Sequence, residues 1–206
     1  MFYSILLVRL YFCVLSFYEI NLMTLRIIGM LIFFKNLSMK RSTWILLFIS
    51  ALVLESTALY FQHGMGLNPC VMCIYERVAI LGILFSGLIG CIAPKWLVLR
   101  ILALLIGLGS AVKGLLLAIK HLDYQINVYP WNQCAMVPDF PQTLPLDKWF
   151  PNIFMPSGSC SDITWSFLGF SMVQWIIVIF ACYFLFFIIL SISQFKKVRK
   201  NRMLFR

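Results

Sequence analysis

The chain has 206 residues, a formal net charge of +10, 62% hydrophobic residues and only 12% charged ones, with a mean hydropathy of +0.94. An ordinary soluble domain is about 45–50% apolar and about 25% charged, so a soluble globular domain and a disordered chain are both excluded. The positive charges fall in short segments between long apolar runs, which excludes nucleic-acid binding as the main role and points to a polytopic helical membrane protein.

Residues 1–38 are apolar but broken by Arg9, Glu19, Arg26 and Lys35. They lack the leading basic region and small-residue cleavage site of a signal peptide. They read as an apolar N-terminal extension, either a fifth, weakly hydrophobic span or an interfacial helix. The working unit, residues 39–195, is expected to start near Met39-Lys40-Arg41.

Four segments are long and apolar enough to span: Thr43–Phe61, Met72–Ile92, Leu97–Ile119 and Phe167–Ile192. None alternates with period 2 over ten-residue stretches, so a transmembrane barrel is disfavoured. Gly82, Ser86 and Gly90 on the second helix, and Ser110 and Gly114 on the third, recur at four-residue spacing. Such stripes let helix backbones approach closely in lipid. Glu55 and Lys113 each lie within a span near its outer end. Glu55 is a functional candidate by default, for moving protons or for hydrogen-bonding a neighbouring helix; Lys113 is expected to snorkel.

Lys and Arg set the topology. Lys35, Lys40 and Arg41 precede the first span, Lys95 and Arg100 lie between the second and third, and a basic tail of residues 196–206 follows the fourth. Residues 62–71 have no Lys or Arg, and the long loop of residues 120–166 balances Lys120 and Lys148 against Asp123, Asp139, Asp147 and Asp162. Both termini are therefore expected in the cytoplasm and both loops outside. Six of the eight prolines crowd the long loop (Pro130, Pro138, Pro141, Pro145, Pro151 and Pro156), which forbids a long helix there. Within it, Leu144–Phe154 has the aromatic and apolar pattern of a short interfacial helix.

Of seven cysteines, Cys13, Cys91 and Cys182 sit in apolar runs and read as small inert hydrophobes. Cys70, Cys73, Cys134 and Cys160 all fall on the outer, oxidising side, where four cysteines read as two disulfides. In Asn68-Pro69-Cys70-Val71-Met72-Cys73, Asn68 is expected as N-cap and Pro69 as the first helical residue. The free amides and dipole of that helix start, and the C-x-x-C spacing, favour a thiolate. Arg77, four residues after Cys73, shares its helix face. It is placed to stabilise the thiolate and hydrogen-bond a ligand carbonyl, with Glu76 offsetting or orienting it. His121 stands at the outer mouth, as a ligand donor or as a solvated loop side chain. A four-thiolate metal site is the rival from a different class, although the second close cysteine pair such sites usually show is missing.

Four stretches together resemble the disulfide bond formation protein B (DsbB) family of inner-membrane thiol–quinone oxidoreductases. They are Leu-Glu-Ser-Thr-Ala-Leu-Tyr-Phe-Gln-His (54–63), Pro-Cys-Val-Met-Cys-Ile-Tyr-Glu-Arg (69–77), Leu-Pro-Leu-Asp-Lys-Trp (144–149) and Ser-Gly-Ser-Cys (157–160). The resemblance covers about residues 40–195. It implies an all-α membrane protein, a four-transmembrane-helix bundle with a long Pro-rich periplasmic loop, that reoxidises a periplasmic DsbA-like dithiol oxidase. Electrons would then pass to ubiquinone or menaquinone in the membrane pool.

Carried onto this sequence, the resemblance implies two disulfides, Cys134–Cys160 and Cys70–Cys73. The partner's thiolate attacks Cys134, freed Cys160 attacks Cys70, and Cys73 leaves as a thiolate toward the quinone. Arg77 polarises the quinone and His121 contacts it. A family member dedicated to one client, or an enzyme of the vitamin K epoxide reductase type, stays within the same chemistry. The paired outer cysteines and the P-C-x-x-C-x-x-E-R run favour the family itself.

Overall fold

A computed structural model describes residues 29–129, 134–135, 137–140, 145–163 and 165–195. The expected extension up to residue 28, with Cys13, and the basic tail from residue 196 lie outside them, as do Pro130, Pro141 and Leu144. Helical residues 29–38 form α1. Helix α2 is Arg41–Leu59, continued by a π-helical turn at Tyr60–Gly64. Then come α3 (Val71–Ile92), α4 (Leu97–Ile126), the short α5 (Leu146–Trp149) and α6 (Pro151–Phe154), a hairpin of β1 (Ser166–Phe167) and β2 (Phe170–Ser171), and α7 (Met172–Gln194). Four of these, α2 with its π turn, α3, α4 and α7, are long and apolar enough to cross a membrane.

Helix α3 packs against both α2 and α4, and α7 against α4. Trp44, Ile83, Leu104, Phe180, Phe187 and Leu190 fill the shared core. Many other large apolar side chains, such as Leu46, Phe85, Leu105 and Leu185, point outward, as expected when lipid is the solvent. The glycine stripe of α3 is the seam. A Cβ at Gly82 would collide with the Ser110 hydroxyl of α4, and one at Gly90 with the Trp44 indole of α2. Between them, the fully buried Ser86 donates across the interface to the Ala103 carbonyl at 2.7 Å. Small residues here bring backbones close enough for polar bonds that lipid cannot provide.

The inner end is tied to residues ahead of the expected boundary at Met39. The Trp44 indole donates to the Ser38 carbonyl at 2.8 Å, Thr43 to the Leu37 carbonyl at 2.8 Å, and Gln194 of α7 to the Ser38 hydroxyl at 3.2 Å. Phe34 packs on the same core.

Two helix limits differ from the sequence reading by five residues or more. Helix α4 runs on to Ile126, because nothing in Lys-His-Leu-Asp-Tyr-Gln-Ile breaks a helix. Lys113, exposed on its flank, is consequently farther from the outer end than expected. Helix α7 starts late, at Met172, because the Leu168-Gly169 turn makes a hairpin and Ser171 with Gln174 then forms a reciprocal capping box. The interfacial segment is split at Phe150, with Pro151 opening the second piece.

Gly90→Val should displace the Trp44 ring and destabilise the bundle by about 1–3 kcal/mol, the usual range for overpacking. Detergent-denaturation midpoints of the two proteins measure it; an unchanged midpoint would contradict the close α2–α3 approach.

Candidate functional site

The outer start of α3 carries the first cysteine pair. Cys70 itself, not Asn68, is the N-cap: its Sγ accepts from the Cys73 amide at 3.2 Å, and the helix begins at Val71. A sulfur that faces free amides can take the capping role otherwise filled by an Asn oxygen, leaving Pro69 outside the helix. The two sulfurs lie 2.7 Å apart as free thiols. The Cys70 thiol is held below its ordinary pKa because the Cys73 thiol donates to it; the Cys73 and Met72 amides add to this, while burial and the nearby charge of Glu76 oppose it.

The second pair, Cys134 and Cys160, is joined by a disulfide, with Cα atoms 6.2 Å apart. The loop that carries it is seated on the bundle. The Ser157 and Gly158 amides both donate to the Pro69 carbonyl, at 2.9 and 3.1 Å. Gly158 sits against the Asn68 carbonyl so closely that a Cβ has no room. Farther back, the Asp139 amide donates to the Tyr75 hydroxyl at 2.6 Å, and Phe140 packs edge-on between Tyr75 and Phe154. This docking buries Cys160 and Cys70, each 2% exposed, in one cluster with Met72.

Arg77 is the polar hub. Its Nε and Nη2 donate to Oε1 of Glu55, at 3.0 and 2.8 Å, across α2 and α3. Its Nη1 donates to Gln62 on the π turn at 2.7 Å and to the Ile153 carbonyl of α6 at 3.1 Å, and the guanidinium lies over the Phe154 ring. Glu76 does not offset Arg77 as the sequence reading expected: consecutive helical residues point about 100° apart. Its Oε1 instead meets Nδ1 of His121 at 2.9 Å. His121 is not a solvated loop residue. The longer α4 buries it, 2% exposed, with Nε2 3.4 Å from the Cys70 sulfur.

A cavity of about 410 Å³ opens beside this cluster, lined by Cys73, Glu76, Arg77 and Gln62 and otherwise mostly by apolar side chains, including Ala58, Phe61, Trp165, Trp175 and Phe180. Its size and lining are those of a site for an apolar small molecule with a few oriented polar groups. His121 lines a separate cavity of about 30 Å³ together with Cys70 and Cys73.

The profile of the family described as disulfide bond formation protein DsbB matches residues 40–190. The disulfide bond formation protein B of Pasteurella multocida is 66% identical over 177 residues, covering 85% of this chain and 99% of the relative. That of Mannheimia succiniciproducens is 65% identical over 178 residues (86% and 100%), and one from Haemophilus influenzae 52% over 176 residues (85% and 99%). The chain belongs to the DsbB family. It is accordingly a multi-pass inner-membrane protein with periplasmic loops and a protein-disulfide:quinone oxidoreductase. Proteins of the DsbB family work with DsbA and the membrane quinone pool.

In this DsbB-family structure, all four outer cysteines, Arg77 and His121 gather at the periplasmic end of α3. Arg77 reaches the large cavity and His121 the small one. Glu55, whose sequence left proton movement and hydrogen bonding open, is the ion-pair partner of Arg77. The metal alternative loses two of its four thiolates to the Cys134–Cys160 bond. Cys70, Cys73 and His121 do hold donor atoms within 4.8 Å of one another, and among the described residues no fourth side chain joins them. Sequence reasoning passed over Gln62 and the Ile153 carbonyl. The only trace of Gln62 is a polar side chain at the uncharged end of a span, and a main-chain acceptor leaves none.

Replacing Cys73 with Ala removes the donor that stabilises the Cys70 thiolate. The pH midpoint for alkylation of Cys70 should therefore rise toward the ordinary thiol range, as read by residue-resolved mass spectrometry. An unmoved midpoint would assign the stabilisation to the helix amides alone.

Proposed function

We propose that the reduced DsbA-like partner delivers its electrons through Cys134–Cys160 and then Cys70–Cys73 to a ubiquinone or menaquinone headgroup in the large cavity. The observation that carries this reading is the division of one C-x-x-C pair between two compartments. Cys70 is buried with Cys160 under the docked loop, while Cys73 lines the apolar cavity with Arg77. The partner's thiolate attacks Cys134, and the Cys134–Cys160 bond breaks. The freed Cys160 thiolate attacks Cys70, and Cys73 is released as a thiolate on the cavity side. The partner's second thiolate attacks the partner–Cys134 bond, so the partner leaves as a disulfide and Cys134 is freed; attack by Cys134 on the Cys160–Cys70 bond then frees Cys70 and restores the outer disulfide.

The residues present fit a quinone. Among the described residues, the Arg77 hydrogen bonds occupy four of its five N–H groups, so the second Nη2 proton is left for a ligand carbonyl. Glu55 and Gln62 hold the guanidinium in place for that contact. A quinone supplies a two-electron, two-proton sink. That sink is needed because the DsbA couple, a reference value long established for this very system, lies at about −120 mV, and every ~30 mV uphill costs ~1.4 kcal/mol. Service to general folding or to one dedicated client would use the same chemistry.

Purified protein mixed with the reduced partner and a water-soluble quinone analogue should bleach the quinone in step with partner oxidation; partner oxidation without quinone loss would overturn the reading. Cys73→Ser should abolish quinone reduction while the outer pair still forms a mixed disulfide with the partner, and normal turnover in that variant would reject Cys73 as the exit. Arg77→Ala should raise the KM for quinone at least about tenfold, the scale of one lost charge-assisted hydrogen bond, with little change in the KM for the partner. Equal effects on both substrates would instead indicate a purely structural role.

A further inference from the structure

We infer that His121 and Glu76 form a proton relay that takes the proton from the Cys70 thiol and carries it toward the large cavity. This rests on the reading of that cavity as the quinone site. Three observations carry it. Nε2 of His121 lies 3.4 Å from the Cys70 sulfur, and Nδ1 lies 2.9 Å from Oε1 of Glu76, so the three groups stand in hydrogen-bonded series. His121 and Glu76 are 2% and 1% exposed, so bulk water does not compete along the series. Glu76 lines the cavity, and its Oε2 is buried without a hydrogen-bond partner among the described residues. Buried carboxylate oxygens are ordinarily satisfied, and an orphan at a ligand cavity marks a contact that the protein itself does not make.

Closing the Cys70–Cys73 disulfide breaks two S–H bonds and releases two electrons and two protons, which convert one quinone to one quinol. The Cys70 proton passes from Sγ to Nε2, and the Nδ1 proton passes to Oε1 of Glu76. Glu76 starts as a carboxylate, so the one proton it yields toward the cavity is the one accepted at Oε1, handed on when the carboxyl group turns to present it from the Oε2 side. Cys73 lines the cavity and gives up its own proton there. His121 thus touches the reacting sulfur and is a catalytic residue; Glu76 also orients the His121 ring.

The test begins on quinone-free, fully reduced protein, with the alkylation rate of Cys70 followed against pH. The other titratable groups near Cys70 are Cys73, Tyr75 and Glu76 from α3, His121 and Tyr124 from α4, and Asp162 from the loop. In Glu76→Gln and in His121→Asn the profile should move to higher pH, with alkylation at neutral pH falling about tenfold, one unit along the pH axis. Glu76→Asp, which keeps the acid, should retain most of the rate.

The sign decides between roles. A carboxylate that merely sits beside the thiolate repels it, so neutralising Glu76 would then move the profile to lower pH. Either that result or an unmoved profile overturns the relay. Each variant is scored only if its outer disulfide still reacts with the reduced partner, which reports a folded loop; if Glu76→Gln fails that control, His121→Asn and Glu76→Asp decide. In single-turnover quinone reduction by pre-reduced protein, Glu76→Gln should also be at least about tenfold slower, and an unchanged rate counts against the relay. The alkylation profile contains no quinone, whereas quinone bleaching by the unsubstituted protein tests the cavity assignment, so the two fail separately.

Discussion

The arrangement depends on the ion pair between Arg77 of α3 and Glu55 of α2. A lone guanidinium or carboxylate inside a span costs about 2.5–3.5 kcal/mol or more. Two of the five Arg77 N–H groups bind one Glu55 oxygen, so the opposite charges meet at a site less than a tenth exposed. Breaking such a pair is far more costly than never having made it, which locks α2 to α3 at one height. The remaining Arg77 protons then reach the π turn through Gln62 and the periplasmic loop through the Ile153 carbonyl. One side chain thereby joins two spans, the cavity wall and the cap above it.

That cap explains how a polar, proline-rich loop comes to serve a reaction at a lipid boundary. The Ser157 and Gly158 amides converge on the Pro69 carbonyl, whose own chain enters the C-x-x-C helix at the next residue. The attachment point of the loop and the first redox sulfur are therefore adjacent in sequence as well as in space. Cys160 is buried in one cluster with Cys70 and Met72.

The cysteine pair at the helix start faces two environments at once. Cys70 caps the helix, with its sulfur toward amides, His121 and the loop, while Cys73, one turn in, lines a largely apolar cavity. On the proposed route, the short step from Cys70 to Cys73 links the side that meets a soluble dithiol to the side that meets a lipid-dissolved oxidant.

Composition, run lengths and Lys/Arg placement by themselves determined four spans, their orientation and the outer location of four cysteines, because lipid imposes those rules on any sequence. The C-x-x-C-x-x-E-R run likewise determined that redox chemistry sits at the mouth of the second span. The tertiary structure alone decided who pairs with whom. Glu55 rather than Glu76 reaches Arg77, because adjacent residues of one helix diverge while residues of neighbouring helices can meet. Likewise His121 turns inward because α4 continues past the apolar run, and hydropathy cannot register a helix turn whose polar groups are satisfied by another element. The loop's docking on Pro69 and the Glu76 oxygen left without a partner among the described residues depend on main-chain acceptors and empty space, neither of which has a letter in the sequence.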